Sequence, residues 1–206
     1  MTLFRPSYLS LLWLFLIYIS NRQPDKPIRQ IIFAGISIGL LCGFTPVNYM
    51  PSAHAEELSE YRLKTAFLYN FATFTQWPQD DQPAFNVCIY GPNPFNGHLE
   101  NLQDKKITNR PVNILFSQPI NKLHDCHLVF ISRPAITNLN DILDALKDKP
   151  ILTVADSPNA CQKGVALNMA IENGKITFEA NPAAAQAVGL SFSSQLLRFA
   201  KKVYSQ

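Results

Sequence analysis

Four consecutive residues, His124-Asp125-Cys126-His127, combine two imidazoles, a thiol and a carboxylate, which are side chains that bind transition metals. His124 and His127 could supply two nitrogen ligands. The rest of a zinc site is hard to find, because His98 is the only other histidine after the first 55 residues. We therefore interpret the four residues as a polar loop that leads into a strand, and we expect no metal and no other cofactor.

Two further segments follow predicted strands, at the place where α/β proteins hold ligands. The segment Gly91–Gly97 has neither a dinucleotide nor a P-loop spacing, and its two prolines remove backbone donors that a phosphate would use. We interpret it as a strand-to-helix turn in which Asn93 or Asn96 acts as a cap. Asp156 and Ser157 could line a cleft, but the residues around them are typical of a turn.

The common catalytic templates do not occur in the sequence. There is no G-x-S-x-G elbow and no HExxH pair, and the carboxylates are scattered rather than matched as acid and base. We therefore predict a binding or regulatory protein and not an enzyme. An envelope enzyme of unrecognised type is the alternative, for which a metal bound at His124 and His127 would be the evidence.

The N-terminus of this 206-residue chain has the three parts of a secretory signal. Basic residues precede an apolar run at 31–44, and the segment Ser52–Ala55 ends in an A-x-A cleavage motif. We predict cleavage after Ala55, which makes residues 1–55 a leader and residues 56–206 a single periplasmic domain.

A second apolar run, at residues 8–19, lies upstream of this signal. It is shorter than the about 20 residues that a spanning helix needs. It indicates either an over-extended gene start, with translation beginning near residue 27, or a membrane hairpin that is retained. We favour the first interpretation because each apolar run is too short to span a bilayer comfortably.

The charge of the chain is concentrated in this leader. Four of the 18 basic and one of the 15 acidic residues precede Glu56, which leaves 14 of each in the predicted domain. A neutral domain has no electrostatic footprint for nucleic acid. We therefore expect no nucleic-acid partner.

Periodicity in the predicted domain indicates apolar strands that alternate with helices, which is typical of a mainly parallel sheet covered by helices on both faces. The dipeptide Asn173-Gly174 between two strand patterns predicts a C-terminal antiparallel hairpin. Strands are predicted at 84–90, 112–116, 128–131, 151–155, 165–170 and 175–180, and helices at 57–76, 95–102, 136–148, 182–188 and 193–203.

Aromatic residues follow the first predicted helix in a stripe. Phe67, Phe71 and Phe74 recur at helical spacing, which is more simply explained by a core face than by a binding face. Tyr69 and Trp77 fall off this stripe. We predict that these two residues contact a partner protein.

Three cysteines remain after residue 55, so at most one internal disulfide can form. Cys88 lies in one predicted strand and Cys126 at the start of another. The two are either bonded to each other or buried as free thiols, and export favours the bond. Cys161, in a predicted loop, is then the possible free thiol.

Several segments of the predicted domain form an ordered set that is specific as a whole. They are Lys64–Ala72 followed by Gln76-Trp77-Pro78, then Val87–Phe95, Cys126–Ile131, Ile151–Asp156, Lys175–Glu179 and Leu190–Leu197. Through these segments, residues 60–203 resemble the YfiR-like family of bacterial periplasmic proteins.

The resemblance implies a homodimeric periplasmic repressor that binds the periplasmic sensor domain of a membrane-bound diguanylate cyclase. Its release would raise cyclic di-GMP and favour biofilm formation. The resemblance also implies a Cys88–Cys126 disulfide, whereas a second, later disulfide of the family lacks a partner for Cys161. The alternative function is a periplasmic small-molecule binding protein, with the loops 91–97 and 156–164 lining its cleft.

Overall fold

The computed structural model describes residues 53–116 and 119–204, with side chains from residue 60 onward. The predicted leader and its upstream apolar run lie outside the described residues, except for residues 53–55, which begin a helix. Within the described part of the chain, no helix is both long enough and apolar enough to cross a membrane.

An eight-stranded sheet forms the centre of the fold. Its strands are β2 (Phe85–Tyr90), β3 (Lys106–Ile107), β4 (Arg110–Phe116), β5 (Leu128–Ile131), β6 (Leu152–Ala155), β7 (Leu167–Glu172), β8 (Lys175–Ala180) and β10 (Lys202–Val203). Their order in the sheet is β10-β8-β7-β6-β5-β2-β4-β3. Strands β7, β6, β5, β2 and β4 are parallel, while β8 pairs with β7 and β3 pairs with β4 in antiparallel fashion. The predicted α/β class with a mainly parallel sheet and a C-terminal hairpin is therefore confirmed.

Helices pack on both faces of this sheet. Alternate residues of the strands contribute to two separate cores: in β2, Val87 belongs to one and Cys88 to the other. The helices are α1 (Ala53–Thr73), α2 (Glu100–Gln103), α3 (Leu139–Leu146), α4 (Pro182–Ala187) and α5 (Ser194–Phe199). The first core contains Phe71 of α1 and Leu196 of α5, and the second contains Ile142 of α3.

The first helix is shorter at its end than its pattern predicts. It stops at Thr73, because β1 (Thr75–Gln76) pairs with β9 (Ser191–Phe192) in a two-stranded antiparallel sheet. The indole Nε1 of Trp77 donates to the Ala72 carbonyl at 2.8 Å and so satisfies one of the last helical acceptors. Tertiary pairing has overridden local helical propensity here.

Other predicted helices are also shortened. The predicted 136–148 helix starts as a 3-10 helix at Arg133–Asn138 before α3, and the predicted 193–203 helix ends at Phe199, where the chain turns into β10. Of the predicted 95–102 helix only α2 remains.

The buried face of α1 is rotated relative to the predicted aromatic stripe. Phe71 is fully buried, but Phe67 and Phe74 are only half-buried. The buried face instead includes Lys64 and Leu68, so a lysine points toward the sheet. This lysine requires a partner, since a buried unpaired ammonium is strongly unfavourable.

Three strands end side by side at the carboxyl edge of the sheet. Tyr90 pairs with Ile131, and Ile131 pairs with Ala155, which places the next residues, Gly91, Ser132 and Asp156, in one row. Strand β2 lies between β4 and β5, so this row is next to the point where the strand order reverses. Gly91 has a φ of +91°, and a Cβ there would lie 2.4 Å from Ser132 Oγ. Only glycine fits this position.

Candidate functional site

A buried ionic cluster is centred on Asp156, directly after β6. The Asp156 side chain is fully buried, and its Oδ2 accepts hydrogen bonds from the Tyr61 hydroxyl at 2.9 Å and from Lys64 Nζ at 2.6 Å. The Lys64 side chain is also fully buried and forms a second ion pair with Glu60. The lysine on the buried face of α1 is thus matched by two carboxylates.

Arg133 connects this cluster to the surface. Its Nε and Nη2 donate to the backbone carbonyl of Asp156 at 3.2 and 3.1 Å, and Nη2 lies 3.8 Å from Asp156 Oδ2. The Arg133 side chain is 59% exposed. Two cations and two carboxylates therefore balance in the cluster, which we call the Asp156 cluster: Glu60, Tyr61, Lys64, Arg133 and Asp156.

Tyr61 is a neutral donor in this cluster. Burial, together with the neighbouring Asp156 carboxylate, raises the pKa of its hydroxyl well above the ordinary value. The Lys64 ammonium also lies 4.3 Å from the centre of the Tyr61 ring. Tyr61 therefore keeps its proton across the physiological pH range, and its hydroxyl donates a hydrogen bond to Asp156.

Three polar atoms next to the cluster have no hydrogen-bond partner among the described residues. They are Asp156 Oδ1, Ser132 Oγ and Ser157 Oγ, all buried. The Ser157 N–H is satisfied by the Asn168 side-chain oxygen at 3.1 Å, so only the hydroxyl is unmatched. Unmatched buried polar atoms are rare in proteins, and each of these three atoms retains the capacity to accept a hydrogen bond.

The two loops considered from the sequence meet at this edge of the sheet but differ in what they contribute. The segment Gly91–Gly97 is a turn, as expected, in which Asn93 Oδ1 accepts from the Phe95 N–H at 2.9 Å. Asp156 and Ser157, in contrast, are both buried. An ordinary turn leaves such charged and polar side chains exposed to solvent.

Sequence reasoning missed Lys64 and Tyr61 as members of a site. The signal was present in the spacing, because Lys64, Leu68 and Phe71 recur at four and three residues on one helical face. A lysine within an apolar stripe indicates a buried counter-charge elsewhere in the chain.

A second polar cluster surrounds His127 at the opposite edge of the sheet. Its Nδ1 accepts from the Asn86 N–H at 3.0 Å, and its Nε2 lies 3.3 Å from Asp80 Oδ2 and 3.0 Å from Arg110 Nη1. Arg110 and Asp80 also form an ion pair. This His127 cluster joins β2, β4, β5 and the segment between β1 and β2.

His124 and His127, the two candidate metal ligands, lie in different surroundings. His124 is exposed, and its Nε2 is 2.7 Å from the Ala145 carbonyl, whereas His127 is buried in its own cluster. Within the predicted 124–127 loop, His124 and Asp125 end a 3-10 helix, Ile120–Asp125, while Cys126 and His127 connect it to β5. In the described part of the chain, no three His, Cys, Asp or Glu residues are grouped as metal ligands would be.

Cys88 and Cys126 form a disulfide between β2 and the residue before β5, with their Cα atoms 6.0 Å apart. Both cysteines are buried in the second core. Cys161 is a buried free thiol that begins a short 3-10 helix, Cys161–Lys163. Burial, aided by the Glu179 charge, raises its pKa to about 12, so it is a poor nucleophile.

Tyr69 and Trp77, the predicted partner-contacting residues, are both partly buried against the first core. The Trp77 ring packs edge-on against Phe85, with ring centres 5.0 Å apart. The Tyr69 hydroxyl is 3.5 Å from the Lys106 carbonyl. Each ring has contacts within the fold, and its role toward a partner stays a prediction.

Comparison with known proteins shows one clear relationship. The model of the DUF4154 family, described as YfiR/HmsC-like, matches residues 61–201, from the Asp156 cluster's Tyr61 to the end of α5. No curated protein matches the sequence.

Two solved structures are similar to this chain at low sequence identity. A conserved domain protein from Vibrio cholerae O1 biovar El Tor N16961 has a TM-score of 0.50 at 6% identity, over 70% of this chain and 60% of that one. An ABC domain in complex with L-Trp from Streptococcus pneumonia has a TM-score of 0.43 at 9% identity, over 59% of this chain and 55% of that one. The chain thus spans little more than half the length of these structures.

Proposed function

The chain belongs to the YfiR/HmsC-like family, and on that basis we propose that it is a periplasmic regulator of a membrane-bound diguanylate cyclase. The family match carries this proposal, because it covers the sheet from β2 to β8 together with α1 from Tyr61 onward and helices α2 to α5. We further propose that the protein binds the periplasmic sensor domain of the cyclase and holds the enzyme inactive.

The proposed mechanism is a shift of population. A binding protein that prefers the inactive conformation of a sensor domain stabilises that conformation by the difference between its two affinities. No catalytic residue is needed for such an effect. A rigid binding surface is sufficient, and two cores, one on each face of the sheet, can provide it.

The disulfide supports a periplasmic location. Structural disulfides persist in oxidising compartments and are rare in the bacterial cytosol. Cys88 and Cys126 are bonded within the second core, where neither sulfur is open to solvent. This is consistent with export through the signal predicted at residues 1–55.

Deleting the gene is expected to raise cellular cyclic di-GMP, and supplying the wild-type chain is expected to restore the low level. Tyr69→Ala is expected to restore it less well at equal protein abundance, because we propose that Tyr69 contacts the partner. Ile171→Ala is the matched control, since Ile171 is an exposed apolar residue on β7. Mass spectrometry of cyclic di-GMP and immunoblots of the chain provide the measurements.

An unchanged cyclic di-GMP level in the deletion strain would contradict the regulator proposal. Capture of the tagged chain from detergent-solubilised membranes adds a direct test. We expect a diguanylate cyclase to co-purify, and Tyr69→Ala to reduce its recovery relative to Ile171→Ala.

A small-molecule binding role is the second candidate, and the three unmatched atoms at the carboxyl edge favour it. Asp156 Oδ1, Ser132 Oγ and Ser157 Oγ are buried beside the reversal of strand order, where α/β proteins hold ligands. The partly exposed Arg133 gives this edge a cation at the surface.

A thermal-shift screen with small polar metabolites tests this second role. A ligand present at 100 times its Kd stabilises the native state by about 2.7 kcal/mol, so a true ligand raises Tm clearly. Ser157→Ala removes a hydroxyl that has no protein partner, and we expect it to reduce the shift while leaving the Tm of the free protein nearly unchanged. A shift of equal size in both proteins would place the ligand elsewhere.

A further inference from the structure

The tautomer of His127 is fixed by the backbone. The Asn86 N–H donates to Nδ1, which must therefore be unprotonated, so the proton of the neutral ring is on Nε2. Nε2 lies 3.3 Å from Asp80 Oδ2, which can accept from it, and 3.0 Å from Arg110 Nη1, which is itself a donor and cannot. The Asp80 carboxylate also pairs with Arg110, so one anion serves two donors.

The His127 ring also supports the aromatic residues beside it. Phe85 stacks on the ring with centres 4.6 Å apart, and Trp77 approaches it edge-on at 6.3 Å. Residues 78–83 are mostly exposed, and Asp80 joins them to the sheet through Arg110 and His127. The His127 cluster is therefore the attachment point of the segment between β1 and β2.

We propose that His127 is a pH-sensitive latch that holds the 77–84 segment on the sheet, and that its protonation by solvent loosens this segment. A proton on Nδ1 removes the acceptor of the Asn86 N–H. It also places a second cation beside Arg110, with only the Asp80 carboxylate to share between them. The native contacts therefore favour the neutral ring.

The charged groups that contact the ring are Asp80 from the 77–84 segment and Arg110 from β4. On the chain just before His127, the backbone carbonyl of Asp125 accepts a hydrogen bond from the side-chain amide of Asn86. Burial first, and then Arg110, lower the pKa of His127, while Asp80 opposes them. Burial tends to raise the pKa of Asp80, but hydrogen bonds from Arg110 and the Gln82 N–H outweigh it and lower that pKa, so Asp80 stays ionised as His127 titrates.

The direction of the pH effect follows from linkage. A released His127 takes up a proton near its ordinary pKa of about 6.5, whereas the latched ring resists it to lower pH. The latched state is therefore fully favoured above pH 6.5. Below pH 6.5, the equilibrium constant for closing the latch falls by up to about tenfold per pH unit. This fall ends where the pH reaches the pKa of the latched ring.

Trp77 is a built-in reporter of this latch. The chain has two tryptophans, Trp13 and Trp77, so Trp13→Phe leaves only the one beside His127. In this background we expect a change of Trp77 emission with a midpoint below pH 6.5. Hydrogen exchange of peptide 77–86, corrected for intrinsic rates, should show protection falling over the same range.

Four variants make the proposal falsifiable. His127→Asn keeps an acceptor for the Asn86 N–H but cannot titrate, so the transition should disappear; His124→Asn, at the exposed histidine, should leave it intact. If His127→Asn does not fold, two partly exposed positions decide. Asp80→Asn removes the carboxylate that attaches the segment and should move the transition to higher pH, whereas Arg110→Gln leaves a protonated His127 with Asp80 alone and should weaken the pH dependence. A transition that neither variant changes, or one that survives in folded His127→Asn, would overturn the latch.

Discussion

Replacing Lys64 with methionine is expected to destabilise the protein by about 3–5 kcal/mol, the range observed when one partner of a buried ion pair is removed. Methionine fills nearly the same space, so the effect comes from charge rather than from a cavity. Asp156 would remain fully buried, with its Oδ2 still bonded to Tyr61 but without the ammonium 2.6 Å away. Glu60 would lose its counter-charge as well.

Chemical denaturation of four proteins measures this effect and its cause. We expect Lys64→Met and Asp156→Leu to be strongly destabilised, and the double variant to recover part of the loss, because neither charge is then buried alone. Arg62→Met is the matched control, since Arg62 is an exposed cation on the same helix and its loss should change stability by less than about 0.5 kcal/mol. A loss for Lys64→Met no larger than that of Arg62→Met would show that the buried pair does not stabilise the fold.

The sequence was most informative for strands that are buried on both faces of the sheet. Strands β5 and β6 are buried at every position, so their apolar runs, Leu128–Ile131 and Leu152–Ala155, stood out without any alternation. The hairpin of β7 and β8 was likewise predictable, because Asn173 and Gly174 both adopt the positive φ that its turn requires.

Elements that depend on distant partners could not be predicted in the same way. Residues Thr75–Gln76 continue a helical pattern, and only their pairing with Ser191–Phe192, more than 100 residues later, turns them into β1. The short strand β3 is similar, since two residues become a strand only because Arg110 and Pro111 lie opposite them.

The candidate sites were harder to predict than the fold for the same physical reason. Lys64 and Asp156 are 92 residues apart. The position of Lys64 in an apolar stripe indicates a buried counter-charge, but nothing in the local sequence identifies Asp156 as the residue that supplies it. Their pairing depends on which helical face is buried and on where β6 ends in the register of the sheet. His127 was predicted to lie in a polar loop because its neighbours are polar; its burial follows from contacts with Asp80 and Arg110 that local sequence does not encode.

Removing the disulfide is expected to have an effect of similar size to the loss of Lys64. The bond closes a loop with a sequence separation of 38, for which the chain-entropy model gives a stabilisation of about 4 kcal/mol. That loop contains all of β4 and connects strand β2 to the start of β5. Opening it therefore frees the unfolded chain and also loosens the edge that carries the His127 cluster.

The double variant Cys88→Ala/Cys126→Ala tests this without leaving a thiol that could pair with Cys161. We expect a loss of about 4 kcal/mol in denaturant titrations, and we expect reductant to destabilise the wild type but not the variant. Cys161→Ala is the matched control: it removes a buried sulfur but no bond, so its loss should be smaller and its response to reductant should equal that of the wild type. If the regulator proposal holds, the double variant should also raise cellular cyclic di-GMP, because a loosened domain populates its binding-competent state less and loses affinity in proportion. A double variant as stable as Cys161→Ala would mean that the fold does not depend on its crosslink, and the argument from the disulfide to an oxidising compartment would lose its physical basis.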